Sequence, residues 1–313
     1  MPGMPDSMTM ARFSLSQQHP ITLGWADERV RLAALARDHD NDVMLSTDLG
    51  VARIRRDRFA PGRPVEVMLN RWVTVGPDLE AMLSMRYEGG DPDLPFVDAS
   101  VLSRAVTASD LDGLAEAARR EFGELDPDYL RIWSAEPTDQ FPGTWPDKRF
   151  LAAPLCDLRD RPVPAELCLR PTADLAHYAE ARRAYAAVDA EFPDHRRQAA
   201  LAAPGRLAEL LDASHLFDVR LDDHWVGYVG VRAEGLLGLP GFTVQELVLS
   251  EAARGQGRGR HLSTLLARTL PGDREVLIGT IHQANTSSLR AAVAAGRHDV
   301  GGWFALPLTR PVA

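Results

Sequence analysis

Residues Glu246 to Ala267 read ELVLSEAARGQGRGRHLSTLLA: an apolar strand runs into Arg254-Gly255-Gln256-Gly257-Arg258-Gly259 and then directly into a helix with Leu262, Leu265 and Leu266 on one side. Glycines let successive backbone N–H groups turn toward one point. A helix N-terminus adds a favourable partial positive charge there. Such a turn holds a pyrophosphate without a lysine, and Arg254, Arg258 and Arg260 add formal charge beside it.

Two common phosphate-binding turns do not fit this stretch. A P-loop ends in G-K-[ST], where this chain has Gly259-Arg260-His261. A dinucleotide fingerprint needs a third glycine where Arg260 stands and opens the first βαβ unit, whereas this turn follows a run of antiparallel-type strands.

Working outward, Phe242 to Leu249 is the strand feeding the turn, with Phe217–Leu221 and Trp225–Val231 before it as a hairpin across Asp222-Asp223. Further back lie a strand over Glu166–Arg170, a long helical stretch from Thr172 and a helix between Pro204 and Ser214. In that stretch Leu175, Tyr178, Ala181, Tyr185 and Val188 share a face. Beyond the turn, Glu275–Ile281 is a strand, Asn285–Ala295 a helix and Trp303–Leu308 a last strand. The order is β-α-α-β-β-β-α-β-α-β.

The segment resembles the acetyl-CoA-binding motif of the GNAT superfamily of N-acetyltransferases, [QR]-x-x-G-x-[GA] after a strand ending in an apolar pair. Arg254, Gly257 and Gly259 stand at its fixed positions, Leu247 and Leu249 at its apolar ones, and Asn285-Thr286-Ser287-Ser288 with Gly296 matches the family's later asparagine, small residue and glycine. The resemblance spans roughly Glu166 to Leu308. It implies an α+β acyl-CoA N-acyltransferase fold whose mixed sheet splays after its fourth strand. It further implies acetyl-CoA or another acyl-CoA as cosubstrate, with the pantetheine arm paired along Leu247, Val248 and Leu249 and the pyrophosphate held by the N–H groups of Gly255, Gln256, Gly257, Arg258, Gly259 and Arg260. Asn285 and Ser288 would meet the cofactor arm, although Asn285 also reads as a plain helix N-cap.

Transfer to an amine needs a base, a donor to the thioester oxygen and a way for the thiolate to leave. By the resemblance, the donor is the backbone N–H of Val248 or Leu249. The base would be a carboxylate on the same strand, which points to Glu246, the ionisable residue between Phe242 and Ser250; an outward, solvated carboxylate is the alternative. The family's usual acid, a tyrosine seven residues past the asparagine, is replaced by Ala292, and the usual aromatic after the glycine by Arg297. A thiol with a pKa near ~8.5 leaves adequately as the anion. Ser287, Ser288 and His282 are substitutes within reach in sequence.

The chain has 313 residues, a length that suits two domains. The prolines between Phe141 and Pro164 suggest a connection, so the expected domains are 1–160 and 161–313. In the first of these, Val65–Leu69 and Arg149–Leu155 read as strands and a helix starts at an N-cap Ser109 and ends near Gly123. No triad-like or metal cluster stands out there. This half is read as either a degenerate copy of the same fold, making two GNAT-like domains in tandem, or an unrelated domain. Trp72, Tyr87, Trp133 and Trp145 read either as core or as the lining of an acceptor pocket.

A net charge of -9 argues against a non-specific nucleic-acid binder. The N-terminal stretch lacks a basic segment followed by an apolar run, and no segment approaches the ~20 apolar residues that span a bilayer, so a cytoplasmic protein with no membrane partner is expected. Cys156 and Cys168 read as free thiols. The expected partner is a small-molecule or peptide amine, with a homodimer left open and no metal. Two readings from other classes remain: a non-catalytic acyl-CoA sensor, and a structural protein that kept the fold.

Overall fold

The computed structural model describes residues 3–308. Along the chain its main elements are α1 (Ser7–Ser16), α2 (Glu28–Thr47), α3 (Leu49–Phe59), β1 (Arg71–Thr74), β2 (Glu80–Tyr87), β3 (Pro95–Leu102), α4 (Leu111–Phe122), β4 (Tyr129–Ser134), β5 (Trp145–Pro154) and α5 (Leu155–Arg159). Then follow β6 (Leu167–Pro171), α6 (Tyr178–Glu191), α7 (His195–Gln198), α8 (Pro204–Asp212), β7 (Leu216–Leu221), β8 (His224–Arg232), β9 (Gly241–Leu249), α9 (Gly259–Thr269), β10 (Val276–His282), α10 (Thr286–Ala294) and β11 (His298–Pro307).

The chain divides into two compact units. The second takes Lys148 to Val300, so the expected boundary near 160 falls inside it, and from Gly301 onward the C-terminal strand belongs to the first unit. Prolines are tolerated at strand ends, and Pro146 and Pro154 lie at the two ends of β5 rather than in a linker.

In the second unit β6, β7, β8 and β9 pair antiparallel in succession, β9 pairs parallel with β10, and β10 pairs antiparallel with β5. Asp222 and Asp223, both at positive φ (48° and 63°), make the two-residue turn between β7 and β8, a conformation whose twist matches that of the flanking strands. Helix α9 makes the crossover that a parallel step requires. Leu262 and Leu266 from α9 pack with Phe217, Val229, Phe242 and Leu277 on one face of the sheet. Ala181 and Ala184 of α6 and Leu207 and Leu210 of α8 pack with Tyr228 and Val248 on the other.

The parallel contact of β9 with β10 lasts three residues, Gly241↔Val276, Phe242↔Leu277 and Thr243↔Ile278, and then the strands part. This is the splay after the fourth strand that the resemblance implies. Gly241 stands at φ 148°, and a Cβ there would lie 2.1 Å from the Val276 carbonyl oxygen, so the close approach at the start of the pair requires glycine.

The first unit repeats this plan without an initial strand. β1, β2 and β3 pair antiparallel, β3 pairs parallel with β4 over Val97↔Leu130 and Asp98↔Arg131, and β4 pairs antiparallel with β11. Helix α4 occupies the place that α9 has in the second unit, burying Leu114, Ala118 and Phe122. The chain between β3 and α4 contains no glycine. Two units of one strand plan stand in tandem, and one of them lacks the glycine-rich turn.

Several local expectations change. Val65–Met68 is a short 3-10 turn rather than a strand; five residues are too few for periodicity to separate the two. The helix expected from Thr172 begins at Tyr178, because Thr172 is tied to β7 through its N–H to Leu216 (3.0 Å) and its hydroxyl to Asp218 (3.0 Å). Ahead of α4 a short 3-10 turn, Ala108–Asp110, leads into the helix in place of a cap at Ser109; Thr107 and Asp110 form its capping box, the Asp110 carboxylate accepting from the Thr107 N–H at 2.8 Å. Trp72 is buried and stacked on Phe13, and Tyr87 is stacked on Phe59 at 4.3 Å, so both are packing residues of the first unit.

The first unit also holds an unexpected polar chain. Ser14 Oγ lies 2.8 Å from His39 Nε2, and His39 Nδ1 lies 3.0 Å from Asp42. The other Asp42 oxygen accepts from Ser100 (2.8 Å) and Asn70 (3.3 Å), while Ser84 donates to Asn70 at 2.6 Å. The order Ser–His–Asp is that of a catalytic relay, but the carboxylate's remaining bonds go to the sheet. We read the chain as a buried tie between α1, α2 and strands β2 and β3.

Candidate functional site

The gap between the diverging β9 and β10 opens into a cleft of about 400 Å³ within the second unit, within the usual range for small-molecule sites. Its lining runs from Gly259 at the mouth of α9, past Leu247 and Glu246 on β9 and Asn285 and Ala292 on or next to α10, to Arg297.

At the mouth lies the glycine turn. Gly255 and Gly257 sit at φ 71° and 72°, where an L-residue is strained and glycine is not. The Arg254 N–H is used up by the carbonyls of Ser250 and Glu251, and the His261 N–H by Arg258. Between them the six N–H groups of residues 255 to 260 find no acceptor among the described residues. The first amides of α9 belong to this set, so the unsatisfied donors of a helix start extend into the turn. The Gln256 side chain and, at 3.4 Å, the Arg258 guanidinium reach back to the Ala252 carbonyl, which holds the loop from inside.

Strand β9 supplies two more donors. Ser250 donates its N–H to the Val226 carbonyl at 2.8 Å. Alternation along an antiparallel strand therefore turns the Val248 amide toward β8 and those of Leu249 and Leu247 toward the gap. Of the two amides singled out from sequence, that of Leu249 points to the gap side of β9 and that of Val248 is committed to the ladder. The Leu247 N–H meets Glu246 Oε1 at 3.1 Å. The register of β8 on β9 shifts at Gly230/Val231, leaving Gln245 as an extra residue. Such a bulge re-aims the side chain beside it.

That side chain is Glu246, which is buried rather than solvated. Oε1 accepts from the Tyr185 hydroxyl at 3.0 Å, and Oε2 from the Ala202 N–H at 2.8 Å. Burial pushes the Glu246 carboxyl above the usual carboxylate range, and the bonds from Ala202, Tyr185 and Leu247 hold part of that rise back. Burial and the adjoining carboxylate push the Tyr185 phenol up as well. Tyr185 is the residue that sequence reading took only as part of a helix face; its spacing on α6 is that of core, and its hydroxyl reaches an acidic partner 61 residues away.

On the opposite wall Asn285 caps α10, its Oδ1 accepting from the Ser288 N–H at 3.2 Å, while both residues also line the cleft. His282, at the end of β10, takes the Ala284 N–H on Nδ1 at 3.1 Å and also lines it. Ala292 is buried at the position of the missing tyrosine and brings no proton donor. Among the described residues there is no group of three or more His, Cys, Asp or Glu side chains placed to hold a metal ion, and no helix is long and apolar enough to cross a membrane.

No protein-family model matches the chain, and no curated protein matches it. Several solved structures are similar to it. A GCN5-related N-acetyltransferase from Sphaerobacter thermophilus is 14% identical with a TM-score of 0.46, over 98% of this chain and 94% of that one. An acetyltransferase of the GNAT family from Colwellia psychrerythraea is 10% identical with a TM-score of 0.47, over 83% and 96%. A tandem GNAT protein from the clavulanic acid biosynthesis pathway is 15% identical with a TM-score of 0.43, over 87% and 96%. With TM-scores below 0.5 these likenesses carry no weight of their own; strand plan and turn geometry carry the fold.

Proposed function

We propose that the chain is a member of the GNAT superfamily that binds an acyl-CoA, most simply acetyl-CoA, in the cleft of its second unit and transfers the acyl group to the amine of a small molecule or peptide. The observation that carries this reading is the run of six acceptor-free N–H groups from 255 to 260 at the start of α9, opening onto a gap between two parting parallel strands. A diphosphate satisfies such donors, and a pantetheine arm fits along β9 as an added strand does.

The chemistry follows from the cleft's own groups. A neutral amine attacks the thioester carbonyl, and the developing oxyanion is met by the gap-facing amides of β9, Leu249 open and Leu247 shared with Glu246. Glu246, raised toward neutrality by burial, takes the amine proton directly or through one water. Tyr185 and the Ala202 N–H fix the carboxylate's orientation. The C–S bond breaks and the thiolate leaves, protonated by solvent, since Ala292 supplies no acid.

Isothermal titration with coenzyme A and acetyl-CoA tests binding, and acceptor-dependent thiol release across an amine library tests transfer. Ala292 supports a second reading, a non-catalytic acyl-CoA sensor, which binds the thioester and releases no thiol with any amine. Failure to bind any coenzyme A derivative removes both.

A further inference from the structure

Arg297 follows α10 and closes the cleft at the end away from the glycine turn. Gly296, at φ 95°, turns the chain off the helix, with its N–H on the Val293 carbonyl (2.9 Å) and the Arg297 N–H on that of Ala292 (3.0 Å). This helix ending directs the Arg297 side chain inward, where the residue is only 5% exposed.

The guanidinium lies where β9 and β10 part. Gly279 and Val244 are the first residues beyond the last parallel pair, Thr243↔Ile278. A Cβ at Gly279 would sit 2.9 Å from Arg297 Nη1 and 3.3 Å from the Val244 Cβ. The missing side chain at Gly279 is therefore what lets the guanidinium lie across the floor of the gap. Once there, Nε and Nη1 are buried with no hydrogen-bond partner among the described residues. No ion pair is formed with Glu246, although both line the same cleft. Burial pulls the guanidinium down only to about 10, so it remains a cation at neutral pH.

A buried, unpaired cation is disfavoured by the fold itself, and the carbonyl end of α10 offsets only part of that. A guanidinium that lines a small-molecule cleft and has no partner of its own among the described residues matches a carboxylate, which meets its charge and accepts from its N–H groups. We propose that Arg297 recognises a carboxylate carried by the small molecule in this cleft, so that the reaction takes a carboxylate-bearing reactant. This rests on the acyl-CoA reading of the cleft. The carboxylate can stand at the far end of the acyl group, as in a dicarboxylic half-thioester, or on the acceptor amine. The floor lies roughly 10 Å further down β9 than the Leu247 amide, at ~3.3 Å per residue, which places it on the acyl side of the thioester.

The test compares wild type with Arg297→Met and Arg297→Lys by isothermal titration, using coenzyme A, acetyl-CoA and succinyl-CoA. A second arm follows thiol release with matched amines that carry or lack a carboxylate. Wild type is expected to prefer the carboxylate-bearing member of one of these pairs by about tenfold or more, the worth of a charge-assisted pair. Arg297→Met reduces that ratio to near one, and Arg297→Lys restores part of it. The apo Arg297→Met protein is expected to unfold at a temperature no lower than wild type, since it loses an unpaired charge. Preference in the thioester pair assigns the carboxylate to the acyl group, and preference in the amine pair assigns it to the acceptor. Wild type that binds coenzyme A but discriminates in neither pair overturns the role of Arg297. Wild type that binds no coenzyme A overturns the acyl-CoA reading instead.

Discussion

Gly257→Val separates a phosphate-binding turn from an incidental one. Gly257 stands at φ 72°, and a Cβ there meets nothing nearer than Arg260 at 3.9 Å, so the substitution is opposed by backbone conformation and not by packing. An L-residue in that region costs about 1–2 kcal/mol, and a β-branched one is a stronger outlier. The N–H groups of 255 to 260 have no acceptors to lose among the described residues, so the loop escapes the strain by rotating its peptides. The damage then falls on the ligand: each N–H turned away from a diphosphate forfeits a charge-assisted bond of about 1.5–3 kcal/mol, which is about 10- to 100-fold in affinity. Titration calorimetry with coenzyme A is expected to show that loss, while the unfolding midpoint shifts by a few degrees at most. If Gly257→Val binds coenzyme A as wild type does, the turn does not hold the diphosphate.

Three further outcomes follow from named contacts. Glu246→Gln is expected to lower turnover by about 10²- to 10⁴-fold if the carboxylate is the base, and to remove a limb of the pH–rate profile lying above the ordinary carboxylate range. The same raised pKa means the folded state holds this proton more tightly than the unfolded one. Stability from Glu246 is thus full at low pH and falls as pH rises from the unfolded to the folded value, so Glu246→Gln flattens that part of the stability curve measured by denaturant titration. Asp42→Ala strands the Ser100, Asn70 and His39 donors and is expected to cost about 1–3 kcal/mol per stranded group. It lowers the denaturation midpoint while coenzyme A affinity, proposed for the second unit, holds. Asn285→Ala removes the α10 cap and is expected to cost about 1 kcal/mol, with a further loss of coenzyme A affinity if Asn285 also meets the cofactor arm.

The glycine-rich turn was legible because its geometry is local: Gly255 and Gly257 take their positive φ where they stand, and Asp222-Asp223 fixes its hairpin with two residues. Arg297 and Tyr185 were not legible as site residues. Arg297 gains meaning from the absent side chain of Gly279, 18 positions earlier, and from the lack of a partner for its guanidinium among the described residues. Tyr185 sits at core spacing on its helix, and only the bulge at Gln245 brings Glu246 to its hydroxyl. The domain boundary was misplaced for a related reason. Nothing within Trp303–Leu308 states which strand it pairs with, and its pairing with β4 is non-local.

Hydrogen–deuterium exchange across residues 251–262, with coenzyme A and with pantetheine lacking the diphosphate, tests the central claim most directly. Slowed exchange of the 255–260 amides with coenzyme A, and not with pantetheine, is the result expected of a diphosphate held by the backbone at the start of α9. Saturating coenzyme A that leaves those amides exchanging at their free rate would contradict it.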